Sequence, residues 1–261
     1  MPRPVSVSYR VLPTAEALAL AAAEFFASVT AAAVKVRGVA RVALSGGTTP
    51  KRMFALLADR SAPPFAQVPW EQLQLFWVDE RCVPPTDAES NYRMTEEALL
   101  EHIPMVAGQI HRMEGELDPE VAAARYEAAI RAAFRLEGAQ IPAFDLVLLG
   151  LGEDGHTASL FPHTAALFEM VRIAVANHVP QKETWRVTLT WPVIQQGREV
   201  AFLIEGAAKA QVVQDVFRGA YDPEAKPAQL IRPASGRLTL LLDAAAAEKL
   251  PAGGTGTLDL S

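Results

Sequence analysis

Short apolar runs alternate with amphipathic stretches along most of this chain. Residues 39–44, 73–78, 144–149 and 200–204 are nearly continuous apolar runs bounded by polar or glycine-rich turns. Runs of that length read as strands covered on both faces. Residues 5–12, 172–179, 186–191 and 238–242 read as further strands. Helical spacing predicts helices over 15–36, 50–57, 91–101, from 118 to near 138, over 207–217 and over 244–250. Thr49 can serve as an N-cap with Pro50 as the first helical residue. Asp118-Pro119 is the clearest helix start in the chain.

Strands alternating with helices predict an α/β fold with a mostly parallel central sheet and helices on both faces. No linker or internal repeat divides the chain, so residues 1–250 read as one domain. The glycine-rich residues 251–261 read as a frayed, flexible tail. Ligands of such folds gather outside the carboxyl ends of the strands. Polar residues just after strands therefore matter most.

Composition narrows the classes. The chain has 261 residues, half of them hydrophobic, and 21% charged. That is too apolar for a disordered protein and long enough to bury a sizeable core. Cys82 is the only cysteine, which excludes a disulfide scaffold and favours a reducing compartment, the cytoplasm. A net charge of −6 with no basic block argues against nucleic acid or an anionic membrane as partner. No uninterrupted apolar stretch is long enough to span a bilayer: the run 17–23 is bounded by Glu16 and Glu24. Leu18, Ala22, Phe25, Phe26 and Val29 give it the spacing of an amphipathic helix.

Four segments carry candidate chemistry. Ser45-Gly46-Gly47-Thr48 joins a strand to a helix. Glycines admit a ligand close to the backbone, and a helix N-terminus favours an anion. The plainer reading is a tight turn, and neither nucleotide-binding glycine fingerprint is present. Asp79-Glu80-Arg81 follows another strand, with Ser90-Asn91-Tyr92 downstream. Arginine's planar fork suits phosphate, although a solvated ion pair would look the same.

The third segment is Gly150-Leu151-Gly152-Glu153-Asp154-Gly155-His156-Thr157-Ala158-Ser159-Leu160-Phe161-Pro162. It places a carboxylate two residues before a histidine, whose intrinsic pKa suits general base work near neutrality. A helix-capping histidine is the alternative. Arg186 and Lys209 each put a cation near a strand end or helix start and form the fourth, weaker signal. A metal site is not expected, because Pro162 separates His156 from His163 and no zinc-type spacing occurs. Cys82 beside Arg81 reads as a small core residue rather than a nucleophile.

Taken in order, these segments resemble the glucosamine-6-phosphate isomerase/6-phosphogluconolactonase family. The resemblance rests on Leu44-Ser45-Gly46-Gly47-Thr48-Thr49-Pro50, the stretch from Trp77 to Pro84, Ser90-Asn91-Tyr92 and the glycine-rich segment from Gly150 to Pro162. It continues through Arg186-Val187-Thr188-Leu189-Thr190, Gly206-Ala207-Ala208-Lys209-Ala210 and Ile231-Arg232-Pro233, from about residue 10 to residue 250. The pairing of Asp-Glu-Arg with Arg-Val-Thr-Leu-Thr is closer to the lactonase branch. The resemblance implies a three-layer α/β/α, Rossmann-like fold. It also implies hydrolysis of 6-phospho-D-glucono-1,5-lactone to 6-phospho-D-gluconate in the oxidative pentose phosphate pathway, without metal or organic cofactor. His156 would act as general base with Asp154 orienting it. Ser45, Gly46, Gly47, Thr48, Asp79, Glu80, Arg81, Arg186 and Lys209 would bind the sugar phosphate. The expected partner is that small substrate alone, with the enzyme a monomer or weak dimer. The alternatives are a glucosamine-6-phosphate deaminase-type aldose–ketose enzyme and a non-catalytic sugar-phosphate sensor.

Overall fold

The computed structural model describes residues 5–62, 65–233, 236–251 and 253–260. The first half of the chain contains β1 (Val5–Leu12), α1 (Ala15–Arg37), β2 (Ala40–Leu44), α2 (Thr48–Ala58), β3 (Leu73–Trp77) and β4 (Asp79–Arg81). It continues through α3 (Asn91–Ala98), β5 (Ile110–His111), α4 (Pro119–Phe134) and β6 (Leu146–Leu149). The second half adds β7 (Ala174–Val179), β8 (Thr184–Leu189), α5 (Trp191–Ile194), β9 (Glu199–Ile204), α6 (Ala210–Arg218), β10 (Arg237–Asp243) and β11 (Thr255–Leu260).

Among the described residues, eight strands form one sheet in the order β11-β1-β10-β9-β6-β2-β3-β5. All of its pairings are parallel except β11 with β1. The apolar strands divide their side chains between two cores. Val147, Leu149, Phe202 and Leu240 face one, with Tyr126 and Ile130 of α4 and Val213 of α6. Leu146, Leu148, Leu203 and Leu241 face the other, with Leu18 and Phe26 of α1 and Phe54 of α2. That alternation within uninterrupted apolar strands is what a sheet covered on both faces requires. A separate antiparallel sheet, β4-β8-β7, packs on the side of α4.

Helix starts follow local chemistry. Asp118 accepts hydrogen bonds from the amides of Glu120 and Val121 at 3.1 and 3.2 Å, with Pro119 in the first turn, as its sequence predicts. The start of α2 differs from expectation. The helix begins at Thr48 with Gly47 as N-cap, and Thr49 gives its hydroxyl to Glu205 instead of capping. The helix expected at 91–101 ends at Ala98, and a separate 3-10 turn covers Leu100–His102.

Two further expectations are corrected. Residues 244–250 form turns, not a helix: Asp243 accepts from the amide of Ala246 at 2.7 Å, and the segment is too short to continue before Gly253. Thr255–Leu260, expected within a frayed tail, pairs antiparallel with β1 as an edge strand, burying Leu258 and Leu260. Residues 252 and 261 of that tail lie outside the described residues. By length and composition α1 could cross a membrane, with a window of mean hydropathy 1.8. In the fold, half of that window is buried, and Leu18, Ala22 and Phe26 have no exposed surface. The apolar length serves packing on the sheet.

Candidate active site

Four neighbouring strands, β9, β6, β2 and β3, bring their carboxyl ends together. The loops that follow them enclose a cleft of about 360 Å³. It sits where the strand order reverses direction between β6 and β2, the usual ligand position in open α/β sheets.

The turn after β2 forms one wall. Gly46 is required there because a Cβ would lie 1.9 Å from Oδ1 of Asn91. The first amides of α2 have no partner within the helix, and this end carries positive dipole. Thr48 Oγ1 donates to Oε1 of Glu205 at 3.1 Å, and Thr49 Oγ1 donates to Oε2 at 2.7 Å. Arg52 Nη1 reaches both oxygens at 2.8 and 2.7 Å. Burial works to raise the Glu205 pKa, but the Thr49 and Arg52 hydrogen bonds outweigh it and hold the carboxyl below its ordinary value.

At the end of β3, the buried Tyr126 hydroxyl accepts from the amide of Trp77 at 2.8 Å and donates to its carbonyl at 2.7 Å. This clip fixes the point where the chain leaves the large sheet for β4. Asp79 lines the cleft, and its Oδ2 accepts from Ser159 Oγ at 2.6 Å. Glu80 points away from the cleft. Its buried carboxylate accepts from the amides of Arg81, Asn91 and Tyr92, each at 2.8 Å, and from Ser90 Oγ at 3.0 Å. It caps the start of α3 and holds Asn91, whose Nδ2 donates to the Asp79 carbonyl at 2.9 Å. Burial pushes the Glu80 carboxyl up against those hydrogen bonds.

Arg81 lines the cleft and donates to the Glu89 carbonyl. Arg186 stands opposite it in the β4–β8 ladder. Nε and Nη1 of Arg186 are buried without a hydrogen-bond partner. Burial lowers its pKa, as does the neighbouring charge of Arg81, while Asp79 and Glu89 oppose the shift. Cys82 is half-buried, and burial pushes its thiol to about 11, which suits packing rather than nucleophilic work.

The loop after β6 forms the opposite wall. Gly152 lets the His156 ring lie against the backbone, since a Cβ would fall 2.0 Å from Nδ1. His156 Nδ1 is 2.5 Å from Oδ1 of Asp154, which also accepts from the His156 amide at 3.0 Å. Phe161 stacks on the imidazole at 4.0 Å. The Asp154 carboxylate can only accept, so the contact places a proton on Nδ1 and leaves Nε2 as the ring nitrogen not held by Asp154. Burial works to raise the Asp154 pKa, but the His156 hydrogen bonds and charge prevail, holding it at about 2. Lys209 lines the cleft with Nζ 3.7 Å from Glu153.

Of the residues expected from sequence, Ser45, Gly46, Gly47, Thr48, Asp79, Arg81, His156 and Lys209 line the cleft. Asp154 stands behind His156, Arg186 beside Arg81, and Glu80 beneath α3. Asn91 and Glu205 also line it and were given no role from sequence. Ser90-Asn91 at a helix start was the available signal for the first. The second had none, since its partners Thr48 and Arg52 are remote in sequence. Among the described residues no group of three His, Cys, Asp or Glu side chains is arranged to hold a metal ion.

Fold and cleft define a three-layer α/β/α, Rossmann-like protein that sets a carboxylate-held histidine across from the free end of a helix. Residues 13–240 match the family described as glucosamine-6-phosphate isomerases/6-phosphogluconolactonase, and the chain belongs to that family. A 6-phosphogluconolactonase of Synechocystis sp. is 43% identical over 220 residues, covering 84% of this chain and 88% of its own. One from Mycobacterium tuberculosis is 38% identical over 255 residues, covering 95% of this chain and all of its own. The solved structure of 6-phosphogluconolactonase from Trypanosoma brucei superposes with a TM-score of 0.81 at 29% identity, covering 95% of this chain and all of that one.

Proposed function

We propose that this chain hydrolyses 6-phospho-D-glucono-1,5-lactone to 6-phospho-D-gluconate, a step of the oxidative pentose phosphate pathway, with His156 as general base. The names of its relatives support the reaction. The observation that carries the mechanism is the 2.5 Å Asp154–His156 contact, which leaves Nε2 free at a cleft ringed by Arg81, Lys209 and the start of α2.

Nε2 takes a proton from water as the oxygen attacks the lactone carbonyl. Asp154 orients the ring and stabilises the imidazolium. Amides of the glycine-rich loops face the developing oxyanion, while Arg81, opposite Arg186, grips phosphate and sugar hydroxyls. The tetrahedral intermediate then collapses, the ring C–O bond breaks, and the imidazolium returns its proton to the departing hydroxyl. The start of α2, with Lys209 and Arg186, holds the phosphate remote from the carbonyl and so positions the ring. Glu80 serves this site by holding Asn91 and β4, not by touching substrate. The same reading has one domain working in the cytoplasm, as a monomer or weak dimer, with the lactone as its partner and no cofactor.

The test is lactone hydrolysis at slightly acidic pH, where spontaneous opening is slow, with the lactone generated in place by glucose-6-phosphate dehydrogenase. His156→Ala should lose roughly 10²–10⁴-fold in kcat. Equal acceleration by both proteins removes His156 from the role. Acceleration by neither sinks the lactonase reading, and ammonia release from glucosamine 6-phosphate would then favour deaminase chemistry.

A further inference from the structure

We propose that Glu205 is a built-in competitor for the substrate's phosphate group, holding the hydroxyl donors at the start of α2 and lowering the cleft's affinity for anions. This rests on the reading above that the phosphate sits at that helix end. A phosphate there would seek the free amides of the first turn and the hydroxyls beside them. Both hydroxyls are already committed, Thr48 at 3.1 Å and Thr49 at 2.7 Å, to one carboxylate. That carboxylate projects from the end of β9 and lines the same cleft. Arg52, one turn into α2, neutralises it at 2.7 Å.

For phosphate to bind, the Thr48 hydroxyl must rotate away from Glu205, and the two anions must share one neighbourhood. Arg52 limits the repulsion without removing it, because its own side chain is 45% exposed and screened by water. Phosphate binding is therefore an exchange of one anion for another at shared donors. The consequence is a loosened grip on the product and on inorganic phosphate.

The measurement is KM for the lactone and the competitive Ki of inorganic phosphate, in wild type, Glu205→Gln, Arg52→Gln and Lys209→Met. Glu205→Gln should lower both constants by about three- to tenfold, the size of a partly screened charge interaction. Arg52→Gln leaves the carboxylate uncompensated and should raise both. A purely structural role for Glu205 predicts the opposite, a raised KM in the Gln variant. Unchanged or raised constants in Glu205→Gln, with Lys209→Met weakening phosphate, overturn this inference alone. Should Glu205→Gln not fold, a lowered or unchanged Ki in Arg52→Gln overturns it equally. Wild-type values in Lys209→Met overturn the phosphate seat itself, and this inference with it.

Discussion

The two ends of the central sheet carry hollows of similar size, about 360 Å³ at the carboxyl ends and 430 Å³ at the amino ends, and both are lined by arginines and carboxylates. They differ in what those charges touch. At the amino end, Asp145 is 3% exposed and fully engaged. It meets Arg37 at 2.7 Å, Arg198 at 3.5 Å and the Arg41 amide at 2.8 Å. Glu199 pairs with Arg237 beside it. At the carboxyl end, Arg186 keeps two buried nitrogens unpartnered, His156 keeps Nε2 free, and the first amides of α2 lack helical partners. Cavity size and charge do not separate a binding site from a structural seam here. What differs is the pairing of the charges: those lining the amino-end hollow are joined to one another, whereas the carboxyl end keeps donors uncommitted.

Substitutions can break that contrast. Asp145→Ala should cost about 1–2 kcal/mol of stability, because it unpairs the Arg41 amide and removes two ion pairs whose arginines are 34% and 51% exposed. Its kcat/KM should match wild type; a urea midpoint within error of wild type would make the amino-end network ornamental. Arg186→Met should do the reverse. KM for the lactone should rise about tenfold through loss of a charged hydrogen-bonding partner. The unfolding midpoint should hold or rise, since a half-buried cation with two unpartnered nitrogens is removed. A lower midpoint with unchanged KM would assign Arg186 to the structure.

The smallest effect concerns Asp154. Its folded pKa is about 2, below the ordinary 3.8. A depressed carboxyl contributes stability above its unfolded pKa and loses it as pH falls through the folded one. The stability gap between wild type and Asp154→Asn should therefore close between about pH 4 and pH 2. The group is 43% exposed, so the gap is small. A gap that stays constant over that range would mean that the His156 contact does not form in solution.

What the sequence made legible follows the range over which each feature is determined. Strands β2, β3, β6 and β9 announce themselves because they are buried on both faces, so their burial is written as composition. Asp118 announces α4 because a cap is settled within three residues. The three-residue β4 and two-residue β5 carry no such signal; they are strands only because β8 and β3 lie beside them. The same holds in the site. His156 and Asp154 are neighbours in sequence and could be paired on sight. Glu80 reads in the sequence as a substrate-binding residue, yet its carboxylate is consumed by amides eleven and twelve residues away. Glu205 carries no such signal, because Thr48 and Arg52, which define it, lie 157 and 153 residues earlier in the chain.

The position of β1 has a consequence for how the molecule is made. Val7 pairs with Leu238 on one side and Leu258 on the other, both contributed by the far end of the chain. A ribosome adding about 5–20 residues per second exposes β1 on the order of tens of seconds before either neighbour exists. During that interval α1 must find its place on β2 and α2 while the strand before it has no partner in the sheet. Closure of this sheet edge is thus a late, long-range event in synthesis.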